Sequence, residues 1–160
     1  MQQRVDPKQA APGVMDALLE LEQKLRSSGL ELDLLRLVKM RASQLNGCAY
    51  CVHMHSREAR AAGESEERLY LLSAWRDSPL YTPRERAALA WTDALTLLPA
   101  TQAPDEVYAE LAREFSESER VKLTLVIVAI YMVRNPDKLQ RVMLWQRERQ
   151  TAQPAPSAGI

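Results

Sequence analysis

The chain has 160 residues and balances 21 Lys plus Arg against 21 Asp plus Glu. That length fits one domain with a real core, and the neutrality gives no electrostatic pull toward nucleic acid or acidic lipid. Hydrophobic content of 46% with 26% charged residues is ordinary for a soluble globular protein. The polar start MQQRVDPKQAAPG lacks the apolar centre of a secretory signal, and the longest apolar run, LTLVIVAIYMV at 123–133, is shorter than the ~20 residues that span a bilayer. A cytoplasmic protein with no membrane segment is expected. In a reducing compartment two cysteines serve chemistry or metal binding rather than a structural staple.

Helical spacing dominates the chain. Residues 1–12 read as an N-terminal extension. Val14, Leu18, Leu21 and Leu25 mark a helix over 14–26, ended by Ser27-Ser28-Gly29. A second helix over 30–45 stops at Asn46-Gly47, a strong turn dipeptide. A third carries the cysteines and ends near Gly63, and a fourth at about 65–76 contains Leu69, Leu72 and Trp75. Thr82, Pro83 and Glu85 spell a capping box with proline in the first helical position, so a helix starts there and runs to about Leu98, before Pro99. Pro104 opens another, to about Phe115. SESE at 116–119 is a second capping box leading into the apolar run.

Asn135-Pro136 breaks or kinks that helix, a last one reaches about Arg149, and 151–160 is expected to be a disordered tail. No strand pattern, internal repeat or glycine-rich phosphate loop is present. The predicted fold is all-α, about seven helices, in one domain over 13–150. Trp75, Trp91 and the 123–133 run are expected in the core or a subunit interface. RERAAL at 84–89 and WQRERQ at 145–150 are expected to be solvated faces.

Residues 48–55 hold both cysteines and both histidines of the chain. On a helix at ~100° per residue, Cys48, Cys51 and His55 fall within roughly 60° of one another. A helix starting at Gly47-Cys48 would favour thiolate at its N-terminus. His55, one turn from Cys51, can take a thiol proton, and thiols at i and i+3 can close a disulfide. The spacing supports one cysteine that reacts and one that resolves it. The helix dipole favours Cys48 as the attacker, whereas the neighbouring base favours Cys51. His53 points ~160° away from His55 and reads as a surface or interface residue.

Other readings stay open. Zinc would have only Cys48, Cys51 and His55 from this cluster, and would need a carboxylate or another subunit. Covalent haem needs histidine directly after the second cysteine, where Val52 stands. A thioredoxin-type site needs a βαβ context that is missing. Two buried packing cysteines are the bland alternative.

The run LVKMRASQLNGCAYCVHMHSREARAAGESEERLYLLSAWRDSPLYTPRERAALAWTDALT, residues 37–96, resembles the alkyl hydroperoxidase D (AhpD)-like branch of the carboxymuconolactone decarboxylase family. The likeness extends more loosely over 14–130 and centres on C-x-x-C-x-x-x-H between RASQLNG and ARAAGE. It implies an all-helical subunit that forms dimers, trimers or hexamers. It also implies thiol-dependent reduction of hydroperoxides without flavin, haem or metal, with electrons returned by a lipoylated or thioredoxin-like protein. Carried onto this chain, the resemblance makes Cys51 the attacking thiol, Cys48 the resolving one and His55 the residue that activates the thiol.

Family members of this kind usually carry a relay glutamate twelve residues before the first cysteine, where this chain has Arg36, with Glu31 and Asp33 upstream as candidate substitutes. Tyr50 stands where the best-characterised pattern has a second histidine, and His53 where relatives often have aspartate. Gln44 is a further candidate hydrogen-bond partner in the site. The alternatives within the family are a redox-sensing or interaction protein with little turnover, and a decarboxylase-like lyase, against which the dithiol argues.

Overall fold

In the computed structural model, which describes residues 7–133, the regular elements are all helical. They are α1 (Pro7–Ala10), α2 (Pro12–Arg26), α3 (Leu32–Leu45), α4 (Ala49–Ala61), α5 (Glu66–Leu71) running into a 3₁₀ turn (Leu72–Ala74), α6 (Pro83–Thr96), α7 (Leu98–Thr101), α8 (Asp105–Glu114) and α9 (Glu117–Val133). The expected all-α fold is observed. The expected helix to about Arg149 and the tail at 151–160 lie outside the described residues. The short turns α1 and α7 were not anticipated; α7 forms around Pro99, which sits in its first turn, where its missing N–H costs nothing. No helix among the described residues is long and apolar enough to cross a membrane.

The helix starts follow from local chemistry. Thr82 accepts from the Glu85 amide at 3.2 Å while the Glu85 carboxylate accepts from the Thr82 amide at 2.8 Å. Ser116 and Glu119 repeat the arrangement at the head of α9, with 2.8 Å from the Ser116 amide to the Glu119 carboxylate and 3.4 Å in return. Each box satisfies donors that a helix start leaves unpaired. The hydrogen bonds from Ser116, with help from Arg84, hold the Glu119 carboxyl down to about 2.

Helices α3 and α6 are the centre of the bundle. Leu34, Leu35 and Val38 of α3 join Ala87, Ala88, Trp91 and Ala94 of α6 in one cluster, completed by Leu25, Leu111, Phe115 and the inner side of α9. The opposite side of the same two helices gives Leu37, Met40, Leu89 and Ala90 to a second cluster with Ala59, Leu69, Leu72, Trp75 and Tyr81. Trp75 and Trp91 are core residues, as expected. Helix α9 divides: Leu123, Val126, Ile127, Ala129 and Ile130 are buried, while Val121, Leu125 and Val128 face outward.

A buried ionic centre joins α3 and α6. The Arg41 guanidinium of α3 donates to both oxygens of Asp93 on α6, at 2.6 and 3.1 Å. The Trp75 indole N–H donates to the same carboxylate at 3.2 Å, and Arg76 adds an ion pair from the surface. The RERAAL segment is not the solvated face its composition suggests. Arg84 pairs with Glu31 and Glu119, and Arg86 donates to the carbonyls of Trp75, Arg76 and Ser78. Both side chains lie across apolar surface with their heads engaged, which arginine's long stem allows.

Removing one partner of a buried ion pair leaves the other charge uncompensated, at a cost of about 3–5 kcal/mol. Asp93→Ala should therefore lower stability by about that amount, read from urea unfolding at neutral pH. Arg76→Ala should cost less than about 1 kcal/mol, since its side chain is 58% exposed.

Candidate functional site

The cysteine pair sits at a junction between two helices. Helix α3 ends at Asn46, and Gly47 follows with φ of 57°, the left-handed conformation that favours glycine. The Gly47 amide donates to the Gln44 carbonyl at 3.0 Å and the Cys48 amide to the Ser43 carbonyl at 3.1 Å. These paired bonds close the end of α3 in a Schellman turn. Cys48 is also the N-cap of α4, in extended conformation, and its Sγ accepts from the Cys51 amide at 3.4 Å. One residue thus finishes one helix and begins the next. Its position relative to Cys51 is set by cap geometry rather than by a regular helical turn.

Cys48 and Cys51 are disulfide-bonded, with Cα atoms 5.3 Å apart. Cys48 is 1% exposed, whereas Cys51 is half-buried. His55 lies one turn further along α4 and is buried. Its Nδ1 is 3.1 Å from a Glu58 carboxylate oxygen, one turn further again. From α3, Lys39 brings a positive charge toward the ring; it is paired at 2.7 Å with Glu22 of α2. Burial pushes the His55 pKa below its ordinary value, and Glu58 opposes that push through its hydrogen bond and charge. Neutral imidazole, the form that accepts a proton, is therefore favoured at neutral pH.

The other residues singled out in the sequence scatter. Arg36 is half-buried and pairs with Asp33 at 2.5 Å on its own helix, lining a crevice with Leu37, Ala59, Glu64 and Leu69. Glu31 is held by Arg84 at 2.8 Å, which lowers its pKa. The two acids upstream of Arg36 thus pair with arginines, Asp33 with Arg36 and Glu31 with Arg84. The side-chain oxygen of Gln44 is buried without a hydrogen-bond partner within the described residues. Tyr50 and His53 are half-buried on α4, and the His53 carbonyl accepts from Ser56 at 2.9 Å. Among the described residues no group of three or more His, Cys, Asp and Glu side chains is arranged to hold a metal ion.

Glu58 was not singled out by sequence reasoning. Its signal was present, an acid at i+3 from the histidine on one helix. The Glu22 and Lys39 contribution had no such signal, because it depends on how α2 and α3 pack beside α4.

The chain belongs to the carboxymuconolactone decarboxylase family, whose pattern matches residues 12–94. It is similar to the uncharacterised protein YdfG of Bacillus subtilis, 39% identical over 127 residues that cover 79% of this chain and 86% of that one. The crystal structure of ATU0492 from Agrobacterium tumefaciens, a protein of unknown function provisionally assigned to AhpD-type antioxidant defence, superposes with a TM-score of 0.75. It is 40% identical and the match covers 97% of this chain and 100% of that one. The debrominase Bmp8 shares the fold, with a TM-score of 0.71 at 24% identity over 79% of this chain and 68% of that one. The family match and the likeness to ATU0492 bear out the AhpD-like reading of the 37–96 segment.

His55 also makes a pH signature. Its folded pKa lies below the ordinary value of 6.5, so the folded chain takes up that proton later than the unfolded chain does. This contribution to stability is complete above about pH 6.5 and is lost as pH falls through the folded value. Urea midpoints between about pH 5 and 7 should therefore decline toward acid in the wild type, and the decline should be shallower in His55→Gln.

Proposed function

We propose that this protein is a thiol-dependent peroxidase that reduces hydroperoxides with the Cys48–Cys51 dithiol. The observation that carries the reading is the pair itself. A closed disulfide joins a fully buried cysteine to a more accessible one at the head of a helix, with a buried histidine one turn beyond. Membership of a family that includes AhpD-type proteins supports it.

In the reduced enzyme His55 takes the Cys51 proton, and the thiolate attacks the terminal oxygen of ROOH. The O–O bond breaks, the alkoxide leaves with the proton returned by His55, and Cys51 becomes a sulfenic acid. The Cys48 thiol then attacks that sulfur, water departs and the disulfide forms. A dithiol reductant, lipoylated or thioredoxin-like, reopens it by exchange. The attacker is assigned to Cys51 because it is the more exposed of the two and the nearer in sequence to His55. Cys48, buried at the junction, suits the resolving role. The protein acts as a homo-oligomer in a reducing compartment, and the cycle uses no metal or organic cofactor.

The test is chemical trapping. After limiting peroxide, Cys48→Ser should carry a sulfenic acid on Cys51, and Cys51→Ser should react at least about 10⁴-fold more slowly, the scale for loss of one member of a catalytic unit. A sulfenic acid found only on Cys48, in Cys51→Ser, would reverse the assignment. Stoichiometric oxidation without turnover when a dithiol reductant is supplied would make the protein a redox sensor instead.

A further inference from the structure

We infer that Glu58 is the positioning carboxylate of His55, holding the ring in the Nδ1–H tautomer so that Nε2 is free to accept the thiol proton. The inference rests on the peroxidase reading of the site and adds the residue that sets its base. The family pattern places such a carboxylate upstream of the cysteines, at the position of Arg36, whereas Glu58 lies downstream on α4. The Glu58 oxygen lies 3.1 Å from Nδ1, a hydrogen-bond distance, and the ring it meets is buried. A carboxylate is acceptor-only when ionised, so the proton in that contact belongs to Nδ1. Neutral imidazole has one N–H, which leaves Nε2 as the acceptor.

The charged groups around the ring support the same assignment. Glu58 comes from its own helix, Lys39 from α3 and Glu22 from α2. Lys39 is neutralised by Glu22 at 2.7 Å, with both side chains mostly buried. Glu58, by contrast, has 45% of its side chain exposed and meets the ring directly. When the thiol proton moves to Nε2, imidazolium forms beside a carboxylate rather than in an uncompensated buried site. When the alkoxide leaves, the same proton is returned to it and the ring is again neutral. Glu58 exchanges no proton in either step. It acts through His55 and never touches the substrate.

Nitrogen NMR of the oxidised protein reads the ring directly, because the disulfide cysteines do not titrate. In the wild type at neutral pH, His55 should show the Nδ1–H tautomer, and Glu58→Gln should lower its pKa by about 0.5 unit or more, a modest shift for a half-exposed partner. In the reduced protein, the rate of disulfide formation with an organic hydroperoxide should fall roughly 10-fold in Glu58→Gln. Its acidic limb should move to lower pH, and Glu58→Asp should restore part of the rate. An Nε2–H tautomer in the wild type overturns the inference. So does a folded Glu58→Gln protein whose His55 pKa and pH profile are unchanged. If the wild type forms no disulfide with peroxide, the peroxidase reading fails, while the tautomer and pKa still decide whether Glu58 positions the ring.

Discussion

Asp93 accepts from Arg41 with both oxygens and from the Trp75 indole, in the middle of the bundle, and Arg76 closes over it from the surface. A carboxylate this buried is tolerated only because its lone pairs are used and its charge is met. The three donor residues come from α3 and from Trp75 and Arg76 in the turn after the 3₁₀ segment, so the carboxylate of α6 ties these elements together. The two apolar clusters share α3 and α6, the helices that this contact joins. Apolar packing supplies the attraction, which is not directional. The ion pair adds direction, since a bidentate guanidinium–carboxylate contact is geometrically specific.

The site depends on that alignment through α3. Arg41 is anchored one turn before the end of the helix, and Ser43 and Gln44 supply the carbonyls that close it. The Schellman turn then delivers Cys48 to the head of α4, where its sulfur meets the Cys51 amide. From there the regular rise of α4 places His55 and Glu58 on successive turns. The local stop of one helix and the start of the next thus share one cysteine. The backbone bonds that close α3 and start α4 do not pass through the sulfur bridge.

Electrostatics around His55 balance burial against charge. Burial favours the neutral ring, and the facing carboxylates keep its protonated form within reach. The proposed base role of His55 needs both properties, because a ring that never charges cannot hold a thiol proton and one that is always charged cannot take it. The cationic Lys39 would spoil this balance if it stood alone; its pairing with Glu22 limits the effect.

The sequence by itself determined the all-α class, most helix boundaries and the cysteine–histidine cluster. Capping boxes, a proline in the first turn and a glycine after the last turn act within three or four residues, so they can be read without knowing the fold. The C-x-x-C-x-x-x-H spacing is equally local, as is the family resemblance that runs through it. Only the tertiary structure decided where the long charged side chains go. Arg84 and Arg86 look solvated by composition, yet they bind groups on other elements. Glu31 is drawn to Arg84, and Lys39 with Glu22 to the neighbourhood of His55. Such side chains reach far enough to choose among several partners, and the choice is made by helix packing across the chain, which no local spacing encodes.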